Sequence, residues 1–134
     1  MCDAIRSTWN NKVARDLQGH GTAIFVNFLT ANPGEQKKFS KFASVPTASL
    51  SGNRYVQEQA MVIMKKLDSI VNSGDLHAAT SDLAASHKAM NVTIPEFKKI
   101  FPIIIDHVVA RAGADRGPWT SAFDAIGAAI ASQQ

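Results

Sequence analysis

Apolar residues recur along the chain at three- and four-residue intervals, the spacing that keeps side chains on one face of a helix. Ile5, Trp9, Val13 and Leu17 form the first such stripe. Asp3 stands where a carboxylate accepts the free amide hydrogens of a first turn. Gly19 and Gly21, on either side of His20, are expected to break this helix. Ile24, Phe25, Phe28 and Leu29 open a second stripe. Asn32-Pro33-Gly34 ends it, because proline disfavours helix at the residue before it. A short segment then reaches Phe39 and Phe42, and residues 43–53, rich in Ser, Thr, Pro and Gly, read as a loop. The clearest helix carries Val56, Ala60, Ile63, Met64, Leu67, Ile70 and Val71 and stops at Ser73-Gly74. A weaker one runs from about Leu76 to Lys88, with Leu83 and His87 one turn apart. Thr93-Ile94-Pro95-Glu96 has the form of a capping box. The helix it opens carries Phe97, Phe101, Ile104, Ile105, Val108 and Val109. Gly113 and Gly117-Pro118 separate it from a last helix with Trp119, Phe123, Ile126 and Ile130. Gly127, inside that last pattern, weakens the helix but lets a neighbouring element pack close.

No segment alternates polar and apolar over a strand's length, and there is no internal repeat or low-complexity tract. The expectation is an all-α single domain over residues 1–134, with about seven helices. Its 134 residues suffice for one core. With 46% hydrophobic and 19% charged residues it is not a disordered chain. No apolar run approaches the ~18 residues of a membrane span, and the start, MCDAIRSTWN, lacks the pattern of a signal peptide. No membrane partner is therefore expected. The single Cys2 cannot close an internal disulfide, which fits a reducing, cytoplasmic setting. The formal charge is +3, and Lys37, Lys38 and Lys41 make the one basic cluster. Aromatics are not interleaved with it in the manner of a nucleic-acid surface, so no nucleic-acid partner is expected.

Familiar catalytic and metal motifs are missing: no Cys-x-x-Cys, no His-x-x-x-His, no nucleophile elbow and no P-loop. Four histidines remain. His20 is expected to pack or hydrogen-bond at its helix junction. His77 is expected to be solvated and His107 exposed or half-buried. His87 alone would more often be a core histidine than a ligand.

Its neighbours change that reading. Val13-Ala-Arg-Asp-Leu-Gln-Gly-His-Gly21 resembles the junction of the first two helices of the globin family. Pro33, Phe39 and Phe42 have the globin spacing of a proline, the haem-facing phenylalanine and its neighbour. Leu67-Asp-Ser-Ile-Val-Asn72 is similar to the end of the distal helix in annelid haemoglobins. His87-Lys-Ala, then Val92-Thr, resembles the invertebrate pattern after the proximal histidine, and Trp119 suits the last globin helix. In this order and at these separations the motifs are specific, and the resemblance covers nearly the whole chain.

The resemblance implies a globin fold of seven to eight helices around a haem pocket, with a short or absent fourth helix. It implies haem b as cofactor, with His87 as the proximal iron ligand and the other face of the iron open to dioxygen and other small gases. A carbonyl one turn earlier, near Leu83, would accept the other ring hydrogen of that histidine. Phe39 would lie against the porphyrin, with Phe42 beside it. Phe25, Gln59 and Ile63 would line the distal pocket, and Val92, Phe97 and Phe101 the proximal side. Lys41 would reach a haem propionate.

The chain departs from the family's pattern in three places. Gln59 stands where most globins have a distal histidine. Its amide still donates a hydrogen bond, and a donor favours dioxygen over carbon monoxide because dioxygen takes on more negative charge. Counting no missing residues before His87 would make Tyr55 the distal residue instead. Gln59 is preferred because it keeps Val56, Ala60, Ile63, Met64 and Leu67 on the inward face together. Met90 stands where invertebrate relatives often carry a basic residue that anchors a propionate. Phe25 with Gln59 is similar to the pair in sulfide-binding haemoglobins, although Ile63 is aliphatic where such a pocket has another aromatic residue. The expected function is reversible dioxygen binding for storage, transport or facilitated diffusion, by a protein that is not an enzyme. Nitric-oxide dioxygenase chemistry, weak peroxidase activity and sulfide binding are the alternatives. The chain could be a monomer or a homo-oligomer.

Overall fold

Asp16 is where one helical segment ends and the next begins. In the computed structural model, which describes residues 3–89 and 98–133, with the backbone alone for 82, 83 and 86–89, α1 (Asp3–Thr8) passes into a π-turn (Trp9–Val13) and a 3-10 turn (Ala14–Asp16). Helix α2 (Leu17–Ala31) follows, with the Asp16 carboxylate accepting from the Gly19 amide at 3.0 Å. The chain continues through α3 (Pro33–Gln36), a 3-10 turn (Thr47–Ser49), α4 (Arg54–Val71), α5 (Leu76–Ala89), α6 (Ile100–Ala112) and α7 (Arg116–Ala131). The described residues contain no strand. The all-α expectation stands, and the 3-10 turn at Thr47–Ser49 is all the structure forms where a fourth helix would be.

The wide turn in the first segment has a physical reason. Ile5, Trp9 and Val13 are spaced by four, and each step of four overshoots the 3.6-residue turn of an α-helix. A plain helix would rotate this stripe away from the core. A π-turn holds more residues per turn and cancels the drift, and all three side chains are fully buried.

The break expected at Gly19 and Gly21 falls earlier, at Ala14–Asp16. Both glycines lie inside α2. Gly21 serves a close crossing of α2 over α4: a Cβ there would run into Met64 Cγ and meet the Ala60 carbonyl at 3.4 Å. Gly127 plays the spacing role foreseen for it, since a Cβ would lie 2.8 Å from Lys98 Cε and 3.5 Å from Phe101.

Helix ends are defined by side chains. The Asn53 side-chain oxygen Oδ1 accepts from the backbone amides of Tyr55 and Val56 at 2.9 and 3.1 Å, starting α4. Gly113, at φ 66, ends α6 in the left-handed conformation that glycine adopts at little cost. The capping box at 93–96 lies outside the described residues, as do Met90, Val92 and Phe97.

Two apolar clusters form the described core. The larger joins α1, the π-turn, α6 and α7 with the second half of α4. Within it Trp9 and Trp119 lie 6.4 Å apart, and Trp9 Nε1 donates to the Asp68 carboxylate at 2.8 Å. The smaller joins Phe25, Phe28 and Leu29 of α2 to Phe42, Leu50, Val56 and Ala60.

Candidate functional site

Four phenylalanines wall one side of the smaller cluster. Phe25 meets Phe39 edge-on at 5.6 Å and 88°, and Phe42 edge-on at 5.9 Å and 89°. Phe39 and Phe42 stack at 5.0 Å, and Phe28 stacks beside Phe25 at 6.2 Å. Phe25 and Phe42 are buried, whereas Phe39 keeps partial exposure. Two of these rings come from a regular helix and two from the turns after α3. Those turns are held by Gln36, whose side-chain amide donates to the carbonyls of Phe42 and Val45, each at 2.9 Å. Gln36 is buried. Its sequence setting, Pro-Gly-Glu-Gln-Lys-Lys, reads as polar surface, and only the return of the chain at Phe42 encloses it.

Helix α4 forms the facing wall. Ile63 packs against both clusters and stays partly exposed. Gln59 is half-buried one turn before it. Tyr55, one further turn back, is 37% exposed, with Lys41 Nζ 5.4 Å and the Arg54 guanidinium 5.2 Å from its ring centre. The alternative distal residue thus sits at the surface between two cations, with Gln59 deeper along the same helix.

On the other side, Ile100 and Ile103 of α6 also pack against both clusters while remaining partly exposed. Phe101 is buried against Phe123 at 4.9 Å. Leu83 and His87 are placed by the backbone of α5, His87 in its last turn.

The two clusters therefore meet along aliphatic side chains that neither covers. The side chains there are aromatic and aliphatic, and Lys41 and Arg54 are exposed at the Tyr55 corner. Among the described residues no group of three or more His, Cys, Asp and Glu side chains is placed to hold a metal ion. No described helix is long and apolar enough to cross a membrane.

The other histidines separate clearly. His77 is exposed, as foreseen. His20, on α2, bonds to His107, on α6, with Nδ1 2.8 Å from Nε2 and the rings edge-on at 83°. His107 was expected to be exposed or half-buried. It is buried, at 8% exposure, because α2 lies directly over that part of α6. Burial first, then the charges of His20 and Arg111, lowers its pKa below the ordinary 6.5.

Comparison with known proteins decides the family. The profile described as Globin matches residues 22–133. The chain belongs to the globin family. It is 30% identical over 131 residues to a myoglobin of Scomber japonicus, covering 96% of this chain and 88% of that one. A solved globin of Drosophila melanogaster superposes with a TM-score of 0.86 at 26% identity, over 98% of this chain and 91% of that chain. A structure of Drosophila melanogaster hexa-coordinate haemoglobin, concerned with cyanide binding and transitions of the haem cavity, gives 0.85 at 25% identity over 96% and 90%. The architecture read from the helix stripes is thus that of a globin.

Proposed function

We propose that this globin binds dioxygen reversibly on haem b with His87 as the proximal ligand, serving storage, transport or facilitated diffusion rather than catalysis. Membership of the globin family implies haem-based gas binding. The observation that carries the finer reading is the composition of the walls: one half-buried amide, Gln59, among Phe25, Phe39, Phe42, Ile63, Ile100 and Ile103. When bound, the haem supplies a ferrous iron able to take up dioxygen. Haem b suits a chain with a single cysteine, which cannot form the Cys-x-x-Cys-His attachment of a c-type haem.

The chain's own side chains support binding over turnover. The Gln59 amide donates a hydrogen bond to a polar gas and cannot itself gain a proton. It is a poor general acid or base, which peroxide cleavage requires. Phe25 and Ile63 exclude water and offer no donor. The single Cys2 supports a cytoplasmic setting.

Optical spectra of the purified holoprotein in ferric, ferrous, dioxygen and carbon monoxide forms test this reading. A five-coordinate ferrous spectrum that becomes a stable oxygenated one is expected. A six-coordinate ferrous spectrum without added ligand would place this chain with the hexa-coordinate relative and overturn the simple carrier.

A further inference from the structure

We propose that Gln133 is a positioning residue for the proximal helix, acting through a polar knot that ties the end of α7 to the start of α5. This rests on the reading of His87 as the iron ligand. Gln133 lies just beyond the last turn of α7, where its backbone amide donates to the Ile130 carbonyl at 3.1 Å. Its side-chain Nε2 faces three acceptors: the His77 carbonyl at 3.1 Å, Thr80 Oγ1 at 2.9 Å and the Ala129 carbonyl at 3.0 Å. An amide has two hydrogens, so the three acceptors share them.

Thr80 is the centre of the knot. It is fully buried, and its hydroxyl hydrogen is committed to the Leu76 carbonyl at 2.6 Å. Its lone pairs then take the Gln133 amide. Removing that amide strands a buried acceptor, which costs more than the bond itself contributes.

Helix α5 buries few large side chains among those described. Among its described side chains the buried ones are Leu76, Thr80 and Ala84, a stripe in which only Leu76 is large and apolar. Its main packing partner is α7. Small side chains permit sliding and rotation that large interlocked ones would resist. Directional hydrogen bonds at Thr80 and His77 therefore set how α5 lies on α7. A helix is stiff over short lengths, and residue 87 is seven residues, about 10 Å, further along. A displacement at Thr80 carries through to the backbone that bears His87.

The test uses the holoprotein. Gln133→Ala and Gln133→Glu remove the amide donor, while Thr80→Ser keeps the buried hydroxyl. Ser132→Ala is the control, because its hydroxyl donates to Ala129 at the same helix end without touching α5. Both Gln133 variants are expected to speed backbone amide exchange in α5 about tenfold in the holoprotein. In the ferrous holoprotein both are expected to shift the iron–histidine stretching band seen by resonance Raman. Ser132→Ala is expected to change neither, and Thr80→Ser to leave the band unmoved. Unchanged exchange in α5 would overturn the knot, and faster exchange with an unmoved band would overturn the positioning role. A wild-type protein with no iron–histidine band at all would overturn the assignment of His87, and the positioning role with it.

Discussion

His20 and His107 share a hydrogen bond across 87 residues of chain, Nδ1 to Nε2 at 2.8 Å, and this bond is a seam between α2 and α6. One nitrogen must donate and the other accept, so doubly protonated rings cannot keep it. The pKa of His107 is lowered below 6.5, by burial first and then by His20 and Arg111. The folded state therefore favours the neutral ring, and the unfolded chain binds more protons as acidity rises. The stability it contributes is complete above about pH 6.5 and is lost as pH falls through that value toward the folded pKa. His107→Gln keeps a polar partner for His20 but does not titrate. Its urea midpoint should lie well below wild type at about pH 7.5 and approach it at about pH 5.5. Parallel curves for the two proteins would show that His107 does not drive the change.

Gln59 is the donor that the proposed dioxygen site would use. Replacing it with leucine keeps the volume and removes the donor. A hydrogen bond to a charged acceptor contributes about 1.5–3 kcal/mol. Dioxygen release from Gln59→Leu should therefore be faster by roughly ten- to hundredfold. Carbon monoxide release should change far less, and flash photolysis compares the two. Equal effects on both gases would mean that Gln59 acts by bulk alone.

His87 carries the whole haem reading. His87→Gly should lose the five-coordinate ferrous spectrum and regain it when free imidazole is added, because the ligand is then supplied without its tether. Retention of the wild-type spectrum in the variant would assign the iron to another side chain.

Trp9 joins the first segment to α4 through its bond to Asp68. Trp9→Phe keeps an aromatic ring beside Trp119 and removes that donor. A loss of about 2 kcal/mol in unfolding free energy is expected from denaturant titration. A loss near zero would show that solvent compensates Asp68 fully.

Much of the fold was legible because the stripes of α4 and α7 are long and regular. Val56, Ala60, Met64 and Leu67 are buried as their spacing requires. Other features depend on contacts that no local pattern carries. Glycine usually punctuates a helix, so Gly19 and Gly21 suggested a break. Gly19 instead lies over the Asp16 cap and Gly21 under Met64, both inside α2. The burial of His107 follows from α2 lying across α6, a relation between residues far apart in sequence. Gln36 went unnoticed for the same reason, since its two carbonyl partners enclose it only after the chain turns back. Within the candidate site, the burial of Phe25 was legible from the apolar stripe of α2, while the surface position of Tyr55 between Lys41 and Arg54 was not.

The placement of the aromatic residues makes the chain its own fluorescent gauge. Its two tryptophans, Trp9 and Trp119, are both buried and 6.4 Å apart, so they emit as one shielded unit that reports on the core. Its single tyrosine, Tyr55, stands at the surface between two cations and reports on that corner. With a quenching haem bound, loss of the core therefore shows as a rise in tryptophan emission, with no added label.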